Sequence, residues 1–267
     1  MNSPALERFW ATLADAAARA LLLDYDGTLA PFRVDRDRAW PYPGVRESLS
    51  TITKAGHTRV VLVSGRPARD LAPLLRLDPM PEVWGSHGAE RLCPDGSYIV
   101  DEADERAAKA IASALNWAYK QRLGNSLEVK PGSLALHWRG LSPEEAERLR
   151  KLVEPAWLEF ADGVHLALRE FDGGLELRSL GHTKADVVCT ILQEEGCDAA
   201  VAYLGDDTTD EDAFRAICDE GLGVLVRDEP RDTLAAVWLR PPDGLLAFLS
   251  RWHDVASGRL KPQEGET

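Results

Sequence analysis

Apolar and polar positions alternate along this chain with two different periods. Leu21 to Leu23, Thr58 to Val63, Glu82 to Trp84, Ala199 to Leu204, Gly223 to Val226 and Ala236 to Leu239 are short apolar runs. Runs of that length, bounded by Gly, Pro and Asp, predict strands buried on both faces. Between them, Val45 to Ala55, Arg69 to Leu75, Lys184 to about Glu195, Glu211 to Cys218 and Gly244 to Trp252 predict helices, and Met1 to Ala20 predicts a leading one. Strand and helix in alternation, with polar and Gly-rich residues at the strand C-terminal ends, predict an α/β fold built on a Rossmann-like parallel sheet. Such sheets bind ligands beyond those carboxyl ends.

The pattern changes in the middle of the chain. Asp101 to Arg122 predicts a long helix, Ser126 to Lys130 and Leu134 to Arg139 a hairpin across a Pro-Gly turn, and Pro143 to Val153 a second helix. Val164 to Glu170 and Leu175 to Arg178 predict a second hairpin across Asp172-Gly173-Gly174. Helix–hairpin–helix–hairpin predicts an α+β cap domain inserted at 97–180 into a core of 1–96 plus 181–257, with 258–267 as a disordered polar tail.

Composition narrows the partners. The chain has 267 residues, 45% hydrophobic and 28% charged, with a net charge of −13. That charge, with no isolated basic cluster, disfavours nucleic acid and anionic membranes but leaves room for an anionic small molecule held by local cations or a metal. Cys93, Cys189, Cys197 and Cys218 form no CxxC pair or zinc spacing, so they are expected to be buried thiols in a reducing cytoplasm. No signal peptide or apolar window of about 18 residues is present, which predicts a cytoplasmic location. Most of the eight tryptophans are expected in the core, and Trp138 facing a cap helix. Oligomeric state is not legible, and a monomer is taken as the default.

Chemistry concentrates at four stations. Leu23 runs into Asp24-Tyr25-Asp26-Gly27-Thr28, which taken alone reads equally well as a strand ending in an Asp-Gly turn. Ser64, Lys184 and the run Asp206, Asp207 and Asp210 sit at other strand ends or helix starts. Together they offer a carboxylate cluster suited to a hard ion such as Mg²⁺, with a lysine and a hydroxyl for phosphoryl oxygens.

Those four stations, in this order, resemble the haloacid dehalogenase-like (HAD) superfamily. The resemblance implies that Asp24 is the nucleophile forming an aspartyl-phosphate and Asp26 the general acid/base. It further implies that Asp24, Asp26 (through its carbonyl) and Asp206 hold Mg²⁺, with Asp210 behind them or acting through water and Asp207 beside them, and that Thr28, Ser64, Gly65 and Lys184 bind phosphate. A C2B-type cap between the second and third motifs is similar to that of trehalose-6-phosphate phosphatases. So are the strings Asp24 to Pro31, Ser64-Gly65-Arg66, Gly85 to Gly88 and Gly205 to Glu211. This narrower resemblance implies Mg²⁺-dependent hydrolysis of trehalose 6-phosphate, a phosphorylated disaccharide. Its implied sugar contacts are Arg66, His87, Gly88, Glu128, Lys130, His137, Arg139, Glu176 and Arg178. Ser179 and Ala185 depart from the family's usual Pro and Gly. Other sugar phosphates, phosphoryl transfer to a second sugar and a non-catalytic sensor are the competing readings, and retention of both Asp24 and Asp26 weighs against the last.

Overall fold

A computed structural model describes residues 3–101, 104–171 and 173–260. The predicted tail lies outside the described residues from 261 onward, as does Asp172 in the second hairpin turn. Two compact units emerge: Met1–Tyr98 with Lys184–Thr267, and Ile99–Thr183.

The first unit opens with α1 (Pro4–Asp15) and β1 (Ala18–Leu23), then α2 (Val45–Ala55), β2 (Arg59–Val63), α3 (Ala68–Leu75) and β3 (Glu82–Gly85). Two short strands follow, β4 (Glu90–Leu92) and β5 (Tyr98–Val100), the latter running over the division at Tyr98. The second unit holds α4 (Glu105–Lys120), β6 (Leu127–Lys130), β7 (Ser133–His137), α5 (Pro143–Leu158), β8 (Leu166–Phe171) and β9 (Gly174–Ser179). The chain returns to the first unit with α6 (Lys184–Glu195), β10 (Ala199–Gly205), α7 (Glu211–Ile217), β11 (Leu222–Val226), β12 (Val237–Leu239) and α8 (Asp243–Ala256).

The sheet of the first unit has the order β12-β11-β10-β1-β2-β3-β4-β5. It is parallel from β12 to β3, and β4 runs antiparallel to β3. Period-2 alternation splits each central strand between two cores. Leu21, Leu23, Leu62 and Leu204 pack with α1, α2, α3 and α8, while Ala20, Leu22, Val63 and Tyr203 pack with α6 and α7. Every residue of β10 is buried, so its apolar composition follows from coverage on both faces. Asp24 and Gly205 therefore emerge side by side from β1 and β10, in register Leu23 to Leu204.

In the second unit the antiparallel order is β6-β7-β9-β8. Leu134, Leu136, Leu175 and Leu177 turn toward Ala107, Ile111, Val153 and Trp157 on the two helices. The register Glu128 to Ala135 to Glu176, and Lys130 to Ser133 to Arg178, gathers the charged residues on the opposite face. Trp138 packs against the helical side, as its alternation with His137 predicts. Helix α5 continues five residues past the predicted Val153, through Pro155 to Leu158. The buried Trp157 anchors that extra turn and offsets the hydrogen bond that Pro155 cannot donate.

Three expectations are corrected. The first helix ends at Asp15 rather than Ala20, because Ala18 to Ala20 already pair with Ala199 to Val201 of β10. Strands β4 and β5 were not anticipated; at three residues each they are too short to show a period. The cysteines are not a buried set: Cys189, Cys197 and Cys218 are exposed and Cys93 is half-buried. Cys189 faces away from the sheet contacts made by Val187, Val188 and Ile191, and the other two exposed thiols lie in loops. Trp40 and Trp238 are also exposed, covered in part by the guanidinium groups of Arg76 and Arg240 over their rings. Among the described residues, no helix is long and apolar enough to cross a membrane.

Candidate active site

The loop after β1 is wound by its own backbone. The Leu29 and Ala30 N–H groups donate to the Tyr25 carbonyl at 2.9 and 3.0 Å, and the Gly27 N–H donates to that of Ala30 at 2.7 Å. Gly27 has φ 87°, and a Cβ there would lie 2.1 Å from Asp206 Oδ2. Both the left-handed backbone and the contact with Asp206 require glycine. This turn sends the two aspartates to different partners.

Asp24 is buried and Lys184 Nζ donates to its Oδ1 at 2.7 Å. The same ammonium donates to Asp210 Oδ1, also at 2.7 Å. Lys184 is placed by the first turn of α6, and Asp210 by a short helical turn at 208–210 leading into α7. The Thr28 hydroxyl stands 3.4 Å from Asp24 Oδ2 and 3.5 Å from Asp206 Oδ1. Asp26 instead faces Arg66, whose Nε and Nη2 donate to its two oxygens at 2.6 Å each.

One carboxylate oxygen each from Asp24, Asp206 and Asp210 lies within 4.8 Å of the others, and all three residues are buried. The set is all oxygen, with no imidazole or thiolate, which fits a hard divalent ion such as Mg²⁺. The three carboxylates are not equivalent. Asp210 Oδ1 accepts from Lys184 and from the Tyr203 hydroxyl at 2.5 Å, while Oδ2 accepts from the Asp206 and Asp207 N–H groups at 3.0 and 2.9 Å. Four donors fill the four lone-pair positions of a carboxylate, so Asp210 holds the loop and leaves Asp24 and Asp206 to face an ion. Asp207 turns its carboxylate away to cap Thr208, accepting its N–H at 2.7 Å.

Charge balance follows this geometry. Burial raises Asp24 to about 7, with the Lys184 charge pulling against it and Asp210 and Asp26 adding to it. Burial and the neighbouring Asp24, Asp210 and Asp207 charges push Asp206 well above the ordinary carboxylate range. Burial would also raise Asp210, but the charge and hydrogen bond of Lys184 and the donors Tyr203 and Asp207 N–H hold it below. Both raised carboxyls would be drawn back toward the charged form by a cation placed between them.

Ser64 follows the last residue of β2 and is buried, its Oγ accepting the Arg66 N–H at 3.1 Å. The Ser64 carbonyl accepts the His87 N–H at 2.9 Å, and the Arg66 carbonyl the Ser86 N–H at 2.8 Å. Ser86, His87 and Gly88 all have positive φ, and this tight turn lays the His87 ring where a Cβ on Gly65 would sit, 2.8 Å from Nε2. His87 and Gly88 thus stand beside the Ser64-Gly65 station. Glu90 holds the turn from behind, accepting from Ser86 and from the Tyr98 hydroxyl.

In the second unit, Glu128, Lys130, His137, Glu176 and Arg178 share the polar face of the sheet, and Arg139 lies two residues past the end of β7. Glu176 pairs with Lys130 and accepts from Ser133 Oγ at 2.8 Å, and Glu128 pairs with His137 at 2.8 Å. Phe171 meets His137 edge to face, with ring centroids 5.3 Å apart.

Several residues of the site were not singled out in the sequence. Tyr203 lay in an apolar strand, where a buried phenol always needs a partner, and that was the available signal. Arg227 and Arg231 donate to the carbonyls of Asp206 and Asp207 from a loop that reads as ordinary solvated charge. Glu90 and Phe171 likewise carried no local signal.

The trehalose-phosphatase family profile matches residues 22–235. The chain is 31% identical over 247 residues to the trehalose-phosphate phosphatase of Mycobacterium marinum, an overlap of 87% of this chain and 60% of that protein. It is 34% identical over 252 residues to that of Mycobacterium avium, covering 88% and 62%. It therefore spans about three fifths of the length of the curated relatives it matches. Among solved structures, trehalose-6-phosphate phosphatase from Aspergillus fumigatus superposes with a TM-score of 0.64 at 25% identity, over 95% of this chain and 100% of that one. A HAD-superfamily phosphatase from Bacteroides thetaiotaomicron gives a TM-score of 0.57 at 16% identity, over 88% and 95%, a likeness of fold. The chain belongs to the trehalose-phosphatase family.

Proposed function

We propose that this protein hydrolyses trehalose 6-phosphate to trehalose and inorganic phosphate with Mg²⁺ as cofactor. The observation that carries the chemistry is the Lys184 bridge from Asp24 to Asp210, with the Asp206 carboxylate alongside. It sets an attacking carboxylate against a fixed cation and a second hard ligand. A carboxylate oxygen of Asp24 attacks phosphorus, the P–O bond to the sugar breaks, and Asp26 gives its proton to the leaving oxygen. A water oxygen then attacks the aspartyl-phosphate, Asp26 takes the proton back, and the P–O bond to Asp24 breaks to release phosphate.

Lys184, Thr28, Ser64 and the Gly65 N–H would bind the phosphoryl oxygens, where charge is concentrated in the transition state. Asp24, Asp206 and the Asp26 carbonyl would hold Mg²⁺, with Asp210 fixing the loop. The ion, when bound, supplies positive charge beside the phosphoryl group. The sugar is read by side chains able to bond hydroxyls, for which Glu128, Lys130, His137, Arg139, Glu176 and Arg178 are the candidates, with Arg66, His87 and Gly88 near the phosphate station. Relatives named trehalose-phosphate phosphatase support the choice of sugar. Exposed, unpaired cysteines support a reducing cytoplasmic location.

Phosphate release measured over a panel of sugar phosphates with Mg²⁺ tests the reading. Trehalose 6-phosphate should be preferred by at least about tenfold, and equal rates across the panel would overturn the specificity. Asp24→Asn should abolish release; retained Mg²⁺-dependent turnover would overturn the mechanism.

A further inference from the structure

The acidic loop that supplies Asp206 is held on two sides. On the inner side Asp210 accepts its N–H groups, as described above. On the outer side it is gripped by its carbonyls. Arg231 Nη2 donates to the Asp207 carbonyl at 2.7 Å and Nε stands 3.4 Å from that of Asp206. Arg227 Nη1 donates to the same Asp206 carbonyl at 3.2 Å. Arg231 does not hang loose: its Nη1 pairs with Glu211 and donates to the Asp232 carbonyl at 2.8 Å. Glu211, the first residue of α7, also accepts the Thr233 hydroxyl and the Leu234 N–H, each at 2.8 Å. One guanidinium therefore ties the loop at 206–207, the start of α7 and the segment 231–234 into a single body.

A guanidinium is suited to this task because its planar fork presents several donors in fixed directions. Its position is otherwise costly, since a positive charge beside a cation site repels the ion. A residue that costs affinity by charge must return more through geometry. We infer that Arg231, braced by Glu211, is a positioning residue that holds the Asp206–Asp207 backbone in the form that receives the metal ion. The inference rests on the Mg²⁺ reading of Asp24 and Asp206 given above. It assigns Arg231 no contact with substrate or ion.

Charge and geometry predict opposite signs, which makes the test decisive. Mg²⁺ binding is titrated by calorimetry on the whole chain, without substrate, for the parent, Arg231→Ala, Arg231→Lys and Arg215→Ala. Arg215 is an exposed arginine on α7 paired with Asp212, and it controls for loss of charge alone. The positioning role predicts that Arg231→Ala weakens Mg²⁺ binding by about tenfold or more, the usual effect of removing a group that orients a ligand. Arg231→Lys, which keeps the charge and loses the fork, should also weaken it, and Arg215→Ala should not. Unchanged or tighter binding by Arg231→Ala overturns the inference, as does equal weakening by Arg215→Ala. Circular dichroism in EDTA shows whether Arg231→Ala is folded; if it is not, Arg231→Lys is decisive, and parent-like binding by that variant overturns the inference. A parent chain that takes up no Mg²⁺ overturns both this inference and the metal reading, whereas a binding parent matched by its Arg231 variants overturns this inference alone.

Discussion

Arg66 grips Asp26 by both carboxylate oxygens, Nε to Oδ2 and Nη2 to Oδ1, each at 2.6 Å. The arginine side chain is 4% exposed and the aspartate 25%. A third N–H of the same guanidinium donates to the Arg36 carbonyl at 2.9 Å, and its carbon lies 5.7 Å above the Tyr25 ring. Two residues earlier, Asp24 is held by Lys184 instead. Carboxylates that look alike in sequence are therefore placed by different cations.

Arg66 should matter most where the leaving group needs a proton. Arg66→Ala frees the Asp26 carboxylate to rotate, so general-acid help to a sugar alkoxide weakens. Nitrophenolate leaves without that help. kcat/KM covers only the steps through loss of the leaving group, so it isolates this first half-reaction. The variant should lose about tenfold or more in kcat/KM for trehalose 6-phosphate, within the range of general acid catalysis, and much less for p-nitrophenyl phosphate. Equal losses on both substrates would show that Arg66 does not act through Asp26.

Gly27 should tolerate no side chain. A methyl group there meets Asp206 Oδ2 at 2.1 Å on a backbone with φ 87°. Gly27→Ala must therefore displace the Asp206 carboxylate as well as strain the turn. The strain alone costs of order 1 kcal/mol, so the fold should survive, while Mg²⁺-dependent turnover should fall by at least about a hundredfold. Parent-like turnover with a normal melting curve would show that the loop moves aside freely.

Proton linkage offers a check on the charge balance. Burial raises Asp24 from 3.8 to about 7, so the folded, metal-free protein keeps a proton in that window which the unfolded chain has lost. The stability this group contributes is complete below its unfolded value and is lost as pH rises to the folded one. In EDTA the melting temperature should fall between about pH 4 and about pH 7, and Asp24→Asn should flatten that slope. Metal binding needs the carboxylate, so Mg²⁺ affinity should rise with pH from about 6 to about 8, with protons released on binding. Calorimetry in two buffers of different ionisation enthalpy measures the release directly, and a pH-independent affinity would contradict the assignment.

The strand ends were legible because composition changes there abruptly, from Leu21-Leu22-Leu23 to Asp24 and from Ala199–Leu204 to Gly205-Asp206. Helix–hairpin–helix–hairpin was legible for the same reason, its Gly-rich turns standing between periodic segments. The partners that hold the acidic residues in place were not. Asp207 and Asp210 differ only in which side chain turns back onto the loop, a choice made by Tyr203 and Lys184 from elsewhere in the chain. The hold of Arg66 on Asp26 spans 40 residues and that of Arg231 on Asp206 spans 25, separations at which local pattern carries no information. Exposure of Cys189 was hidden because a helix face is set by its packing partners.

Glu128 tests the sugar reading without touching the reacting atoms. It lies on the polar face of the antiparallel sheet, opposite Ala135, and pairs with His137 at 2.8 Å. Its side chain is 16% exposed, so removal leaves no deeply buried unpaired charge, in contrast to Glu176, which is 6% exposed against Lys130. Breaking the latter pair would cost stability and confuse the result. A carboxylate bonded to a sugar hydroxyl contributes about 1.5 kcal/mol or more, equivalent to about tenfold in binding. Glu128→Ala should therefore raise KM for trehalose 6-phosphate by about tenfold, with kcat changed by less than about threefold. Hydrolysis of p-nitrophenyl phosphate, which has no sugar to read, should stay close to the parent rate. An unchanged KM for trehalose 6-phosphate would remove Glu128 from the sugar site and leave the core chemistry standing.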